Sequence, residues 1–433
     1  MTIHKNSPNR LTTLICTLLL ILPVTSQAAS DDELAAMRAQ LMALSERLDR
    51  LEAENRALTA ANAELAKTTQ ETAVAVAEVS EKTEAVATEI QEQSEGTDWT
   101  DRMRWQGDFR YRFETFDIEG QPDRDRNRIR ARAALIADLS PTIEVGLGLA
   151  SGGEDPVSSN QTLGGGGSTK GLNIDLAYFD WSGLANTHVL GGKFKNFLID
   201  SGSNALLWDS DWRPEGMGIN WSNDLFFVNG MGTWIESDTK SGQSFAYATQ
   251  AGVNMKISDD VELAAGVGYY VFDTKGLGSF FGDDDDFFGN SFDPVTLTYL
   301  YDYEEIELFA GMRFSLFDRP LLVYGTYVEN QAADEDNTAW STGFKYGKTK
   351  NRHDWDIAYM YKHLEADAAL GLLVDSDFGG GGTDSKGHVI MGSYGLAPGL
   401  AAKFTYFIND AGIKSGNPID FKRLQLDLSF KYK

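Results

Sequence analysis

The chain has 433 residues, with 64 Asp and Glu against 38 Lys and Arg, giving a formal charge of −26. Nucleic acid is excluded as a partner, because binding its phosphates calls for basic patches. No apolar run of about 20 residues occurs beyond the N-terminus, so no helix is expected to span a bilayer. A mean hydropathy of −0.30 leaves a strand-built membrane protein open, since lumen and loop residues dilute that average.

His4, Lys5 and Arg10 precede the apolar stretch Leu11 to Val24, and Ser26-Gln27-Ala28 forms a small-residue cleavage site. Residues 1–28 are therefore expected to be a secretory signal peptide. The single cysteine, Cys16, falls inside it. Ile15 stands where a lipidation site needs a small residue, so the signal is not read as a lipoprotein leader. The remaining chain then carries no disulfide.

Residues 29–95 are a different material, rich in Ala, Glu, Leu and Thr. Leu34, Leu41 and Leu48 are spaced by seven, with Leu44, Leu51, Leu58 and Leu65 in the companion register and Asn55 and Asn62 continuing the first series. A sustained 3.5-residue period predicts an α-helical coiled coil, about 90 Å long at 1.5 Å per residue. Buried Asn favours two chains, Leu in both registers is permissive, and the architecture that follows favours three. The coil reads as a periplasmic spacer, a peptidoglycan tether or a trimerisation clamp. Gly96 ends it, and residues 96–103 are a linker to residues 104–433.

From Arg104 to Leu139 the pattern changes to strict alternation. Trp105, Gly107, Phe109, Tyr111 and Phe113 alternate with Gln106, Asp108, Arg110, Arg112 and Glu114. In the next arm Ile129, Ala131, Ala133 and Leu135 alternate with Arg128, Arg130 and Arg132. Strands turn successive side chains to opposite faces, so each arm has an apolar face and a guanidinium-rich one. The arms exceed an average globular strand and match the roughly 9–11 residues a tilted strand needs to cross a bilayer. Alternating runs recur to the C-terminus, where Leu424, Leu426, Leu428, Phe430 and Tyr432 alternate with Arg423, Gln425, Asp427, Ser429 and Lys431. The fold class is an all-β transmembrane barrel of sixteen antiparallel strands, with eighteen as the alternative count. Long and short connections alternate correctly only if Val295 to Tyr303 is not a spanning strand of its own. Aromatic residues near strand ends (Tyr178, Trp181, Tyr269, Tyr270, Tyr394 and Phe407 among them) suit the interfacial girdles of such barrels.

The five arginines Arg110, Arg112, Arg128, Arg130 and Arg132 share the polar face of adjacent strands and repel one another unless acids or passing anions face them. Lys193 and Lys195 are candidates to extend this basic wall. The long segment after them contains Asp209, Asp211 and Glu215, which oppose the arginines if the segment folds inward. These ten residues are the candidate constriction, since charged rings are how pores select. The acidic run Asp283 to Asp286 lacks the spacing of a calcium loop, so no metal site is assigned. Gly164–Gly167 and Gly379–Gly382 lack the sequel of a phosphate loop. No Gly-x-Ser-x-Gly elbow occurs, and neither catalysis nor a cofactor is expected.

The stretches NRIRARAAL (127–135), GLNIDLAYFDW (171–181) and WDSDWRPEG (208–216) resemble segments of a bacterial outer-membrane putative porin family. The resemblance covers roughly Trp105 to Lys433. It implies a barrel in the outer membrane of a Gram-negative bacterium, surrounded by lipid, passing small hydrophilic solutes and ions by diffusion, as a homotrimer with its coil in the periplasm. The alternative is a structural anchor from outer membrane to peptidoglycan, with the pore incidental. The family's assembly signal ends on an aromatic residue, whereas here Lys433 follows Tyr432.

Overall fold

The structure, a computed structural model, describes residues 31–93, 99–237 and 243–433. The signal peptide and most of the linker's first half lie outside the described residues. A helix, α1 (Asp31–Gln93), and a barrel form two separate compact units.

Helix α1 contains no Gly or Pro, and its Thr hydroxyls bond back to carbonyls one turn earlier, as Thr59 does to Asn55 at 2.7 Å. All nine expected heptad residues fall within it. The side chains of Leu34, Leu41, Leu44 and Leu48 lie outside the described residues. Leu51, Leu58 and Leu65 are 53%, 59% and 65% exposed, so this described part of the stripe is largely bare.

The barrel strands are β1 (Met103–Ile118), β2 (Arg124–Ser140), β3 (Ile143–Ser151), β4 (Leu172–Leu184), β5 (Thr187–Lys193), β6 (Glu215–Ser222), β7 (Phe226–Glu236) and β8 (Ser244–Ser258). They continue with β9 (Val261–Phe272), β10 (Tyr303–Leu316), β11 (Arg319–Asn330), β12 (Thr338–Lys348), β13 (Trp355–Leu364), β14 (Ser385–Ala397), β15 (Leu400–Ala411) and β16 (Ile419–Tyr432). Each pairs antiparallel with the next, and β16 pairs with β1 from Gly107↔Tyr432 to Ile118↔Phe421, which closes the sheet. Sixteen strands cross, as the alternation predicts. A two-residue strand, Gln161–Thr162, adds to β2 beyond the end of β3. Phe292–Asp293 and Thr298–Tyr299 pair as a small separate hairpin, so Val295 to Tyr303 supplies no spanning strand.

Burial is inverted relative to a water-soluble sandwich. On β16, Leu426 and Leu428 are 45% and 42% exposed, while Arg423 and Gln425 are each 2% exposed. Polar side chains face a filled interior and apolar ones face outward, the arrangement that lipid favours. Three aromatic residues depart from the expected girdle. Tyr270 and Phe407 are buried on the lumen side, and the Tyr178 hydroxyl donates to Glu144 at 2.6 Å. Proximity to a strand end fixes height along the barrel, but parity decides the face.

Four long connections fill the interior, residues 152–171 contributing Val157 and three others the larger share. Trp208 and Trp212 from residues 194–214, Phe287 and Tyr299 from 273–302, and Leu370 to Val374 from 365–384 form one buried apolar cluster with Tyr270, Tyr303 and Val328 of the wall. These segments bury their apolar residues inward because the outside of the wall is already committed to lipid.

Candidate functional site

The register of β1 and β2 sets Arg110 opposite Arg130 and Arg112 opposite Arg128. Like charges placed directly across a ladder repel, so acids must come from elsewhere. Strand β16 brings one: Arg112 donates from Nε and Nη2 to both Asp427 oxygens at 2.6 and 2.8 Å. Its Nη1 reaches Asp377, carried in from residues 365–384, at 3.1 Å. Buried Glu114 accepts from Arg126 at 2.5 Å and from Arg423 at 2.7 Å. Asp108 accepts from Arg130 at 2.9 Å and from Arg132 at 2.8 Å.

The segment after β5 crosses to the far wall. Ile199 exchanges two hydrogen bonds with Gln250 of β8 (2.7 and 2.9 Å), and the Asn204 amide donates to Thr326 of β11 at 2.8 Å. Gly202, at φ 74°, lies against the Tyr324 ring so closely that a Cβ would collide with it. Lys362 of β13 is fully buried and donates to the Asn204 carbonyl at 3.0 Å and to Asp375 at 2.6 Å, tying this segment to residues 365–384.

Asp211 accepts from Arg132 at 2.9 Å and from Arg130 at 3.2 Å. Burial alone would raise its pKa, but Arg130, Arg132 and Arg213 pull it down to about 2. Asp377 is likewise held well below the carboxylate range by Arg423 and Arg112 against its burial. Asp209 turns away from the arginines and accepts from the Ser376 amide at 3.2 Å and from the Asp211 amide at 2.8 Å. Burial, with Asp375 and Asp211 nearby, pushes it up to about 8.

The remaining expected residues are placed as follows. Arg110 donates to Asn160 Oδ1 at 2.5 Å, with Asp427 at 3.9 Å, and Arg128 reaches only the Asn160 carbonyl, at 3.5 Å. Lys195 enters the lumen, where burial and then Arg213 and Arg132 lower its pKa. Lys193 and Glu215 pair with each other at 2.6 Å instead of joining the ladder. They share the outward parity of Phe179, Met217 and Ile219, because Lys193 is opposite Glu215 and Gly191 is opposite Met217. The parity of β5 thus keeps Lys193 off the arginine ladder, and that of β6 keeps Glu215 from facing it, although both border a cavity together with Asp211 and Arg213.

Two cavities flank this neck. One of about 880 Å³ is lined by Asp155, Ser159, Asp211, Trp212 and Phe281, and one of about 240 Å³ by Asp108, Arg132, Lys195 and Lys431. Asp175 and Arg213 line both, with Arg213 Nε 3.2 Å from Asp175. Among the described residues, no group of three or more His, Cys, Asp or Glu is arranged to hold a metal ion.

A family profile described as putative porin matches residues 117–276 and 290–432, more than two thirds of the chain. The chain belongs to this putative porin family. Among solved structures, the high-pH structure of OprB from Pseudomonas putida is similar to this porin with a TM-score of 0.53 at 13% identity, over 77% of this chain and 95% of OprB. That likeness shows the barrel fold. OmpT of Vibrio cholerae, folded in vitro and in trimer form, gives a TM-score of 0.44 at 12% identity, covering 77% of this porin and 100% of OmpT. A triple mutant of the Rhodopseudomonas blastica porin gives 0.43 at 10% identity, covering 76% and 100%. No curated relative matches the chain.

Sequence reasoning about this porin misses Arg423, Asp427, Asp377, Arg213 and Lys362. The first two carry a usable signal, since the last strand of a closed barrel must pair with the first and both residues have lumen parity. The others depend on where long loops land, which no periodicity encodes.

Proposed function

We propose that this porin lets small hydrophilic solutes and ions cross the outer membrane by passive diffusion, through a neck walled by the arginine ladder and the in-folded loops. The observation that carries the reading is the contact of Asp211, from a segment spanning the lumen, with Arg130 and Arg132 of the wall. Charged groups packed around a water-filled passage sieve solutes by size and weight them by charge. The acidic loops concentrate cations at the mouth, while the unpaired share of the ladder favours anions within.

The domain plan follows: residues 1–28 a leader, 29–95 a periplasmic coiled coil, 96–103 a linker and 104–433 the barrel. The bare leucine stripe of α1 favours burial between chains, read here as a homotrimer held in outer-membrane lipid. An exposed helical stripe also fits a tether to peptidoglycan. In that second reading liposomes containing the protein exclude sugars and amino acids, and peptidoglycan pull-down depends on residues 29–95.

The test is single-channel recording on the full chain and on the triple variant Arg128, Arg130, Arg132→Ala. The variant is expected to change conductance and to shift the reversal potential in a salt gradient toward cation preference. Unchanged conductance and ion preference would remove the ladder from the mechanism.

A further inference from the structure

The ladder's acids do not suffice for its arginines. Asp108, Glu114, Asp211, Asp377 and Asp427 are engaged by Arg112, Arg126, Arg130, Arg132 and Arg423 at 3.4 Å or less. Arg110 and Arg128 remain. Arg110 has only the 3.9 Å approach to Asp427, and Arg128 bridges no carboxylate among the described residues. The further acid near Arg128, Asp155, accepts from the Val157 amide at 3.0 Å and acts on Arg128 only at longer range, without a salt bridge among the described residues. Further cations deepen the surplus, since Lys403 is the cross-strand neighbour of Asp427 and Lys431 that of Asp108.

The two guanidiniums are adjacent and aimed at one place. Arg110 and Arg128 lie diagonally across the β1–β2 ladder, and both reach Asn160, one its side-chain oxygen and the other its carbonyl. The Nε of each is buried without a hydrogen-bond partner. An unsatisfied donor on a charged group is costly to leave unmade. A planar fork of N–H donors matches the oxygens of carboxylate or phosphate, which accept two parallel bonds, better than it matches chloride.

We propose that Arg110 and Arg128, held side by side by the acceptor oxygens of Asn160, form an oxyanion site in the lumen wall, taking the carboxylate or phosphate group of a small solute in transit. The inference rests on the porin reading and names its substrate class. Bound oxyanions sit at the two guanidiniums that lack a close carboxylate, while the five closely paired arginines hold the wall together. Conduction requires such a site to hold an oxyanion weakly enough to release it.

The experiment records chloride current through the full chain in planar bilayers while inorganic phosphate or acetate is added in separate arms. Each arm is repeated with Arg110→Gln/Arg128→Gln and with Arg110→Lys/Arg128→Lys, which keeps the charge but loses the fork. Current through the wild-type chain is expected to fall with oxyanion concentration, and both variants to weaken that block by about tenfold or more. Because the Lys pair keeps both positive charges, weakened block in that variant separates loss of the fork from loss of charge. Phosphate and acetate blocking alike mark a site for any oxyanion; phosphate alone marks a site that selects the dianion, and both outcomes support the proposal. Equal block in wild type and variants, or wild-type current indifferent to both anions, overturns it while leaving the porin reading intact. A wild-type chain that passes no current at all overturns the porin reading itself.

Discussion

Asp209 and Asp211 stand two positions apart and are held in opposite states. Asp211 faces three arginines, and Asp209 faces the buried side of a neighbouring loop, near Asp375. With its pKa raised to about 8, Asp209 stays protonated where the same residue on an undocked loop would be ionised. Docking of residues 194–214 onto 365–384 is therefore fully supported at acid pH. That support is lost progressively as pH rises from the ordinary carboxylate range to about 8. Channel noise from loop excursions should increase across that window, and Asp209→Asn, neutral at every pH, should flatten the profile. A wild-type record independent of pH between 4 and 9 would argue that the loop contact does not depend on this proton.

At the scale of elements, one side chain among several fastens two loops at once. Lys362 meets the Asn204 carbonyl, the Asp375 carboxylate and, at 4.4 Å, the face of the Phe378 ring, so a single ammonium joins two loops to the wall. Removing one partner of a buried pair leaves the other charge uncompensated, at a cost of about 3–5 kcal/mol. Lys362→Met should release both loops while the barrel persists, because the strand ladder does not involve that ammonium. The expected reading is a larger and less steady single-channel conductance with unchanged resistance of the barrel to heat in detergent. A conductance equal to wild type would show that the apolar cluster alone keeps the loops in place. The helix presents the reverse case: its charge pairs are exposed (Lys82 with Glu78 at 2.8 Å), and such pairs contribute little. Its leucine stripe is the part with free energy to gain from association.

At the scale of the whole molecule, one wall separates two solvents. Leu426 points outward and Gln425, its immediate neighbour, is buried within the lumen network, where its amide donates to Asp377 at 2.9 Å. Spin labels at positions 426 and 425, one variant each, should therefore respond oppositely in proteoliposomes. The first should be relaxed by oxygen dissolved in lipid, and the second should be shielded from it. Equal responses would contradict a closed barrel in a bilayer. The same inside-out logic explains why so acidic a chain carries so basic an interior wall. Fourteen of its 64 acids lie on α1 and others in the connections, whereas the arginines of the ladder stand on strands whose lumen face also accepts loop carboxylates.

Residues 104–433 disclose their barrel in the sequence because a strand's period of two is a local property, and lipid on one side with water on the other forces every strand to obey it. The strand count, the alternation of long and short connections and the adjacency of the five arginines follow from that rule alone. The heptads of residues 29–95 are legible for the same reason, at a period of 3.5. Only the tertiary structure decides which acids meet the ladder. Asp427 arrives through barrel closure, Asp211 and Asp377 through loops whose path is set by apolar residues packing in the lumen, and Glu215 not at all. The face of Lys193 also escapes a reading by position, since parity near a strand's end depends on where the ladder stops. Local pattern specifies which way a side chain points within a strand; the partner it meets there is a property of the closed, filled barrel.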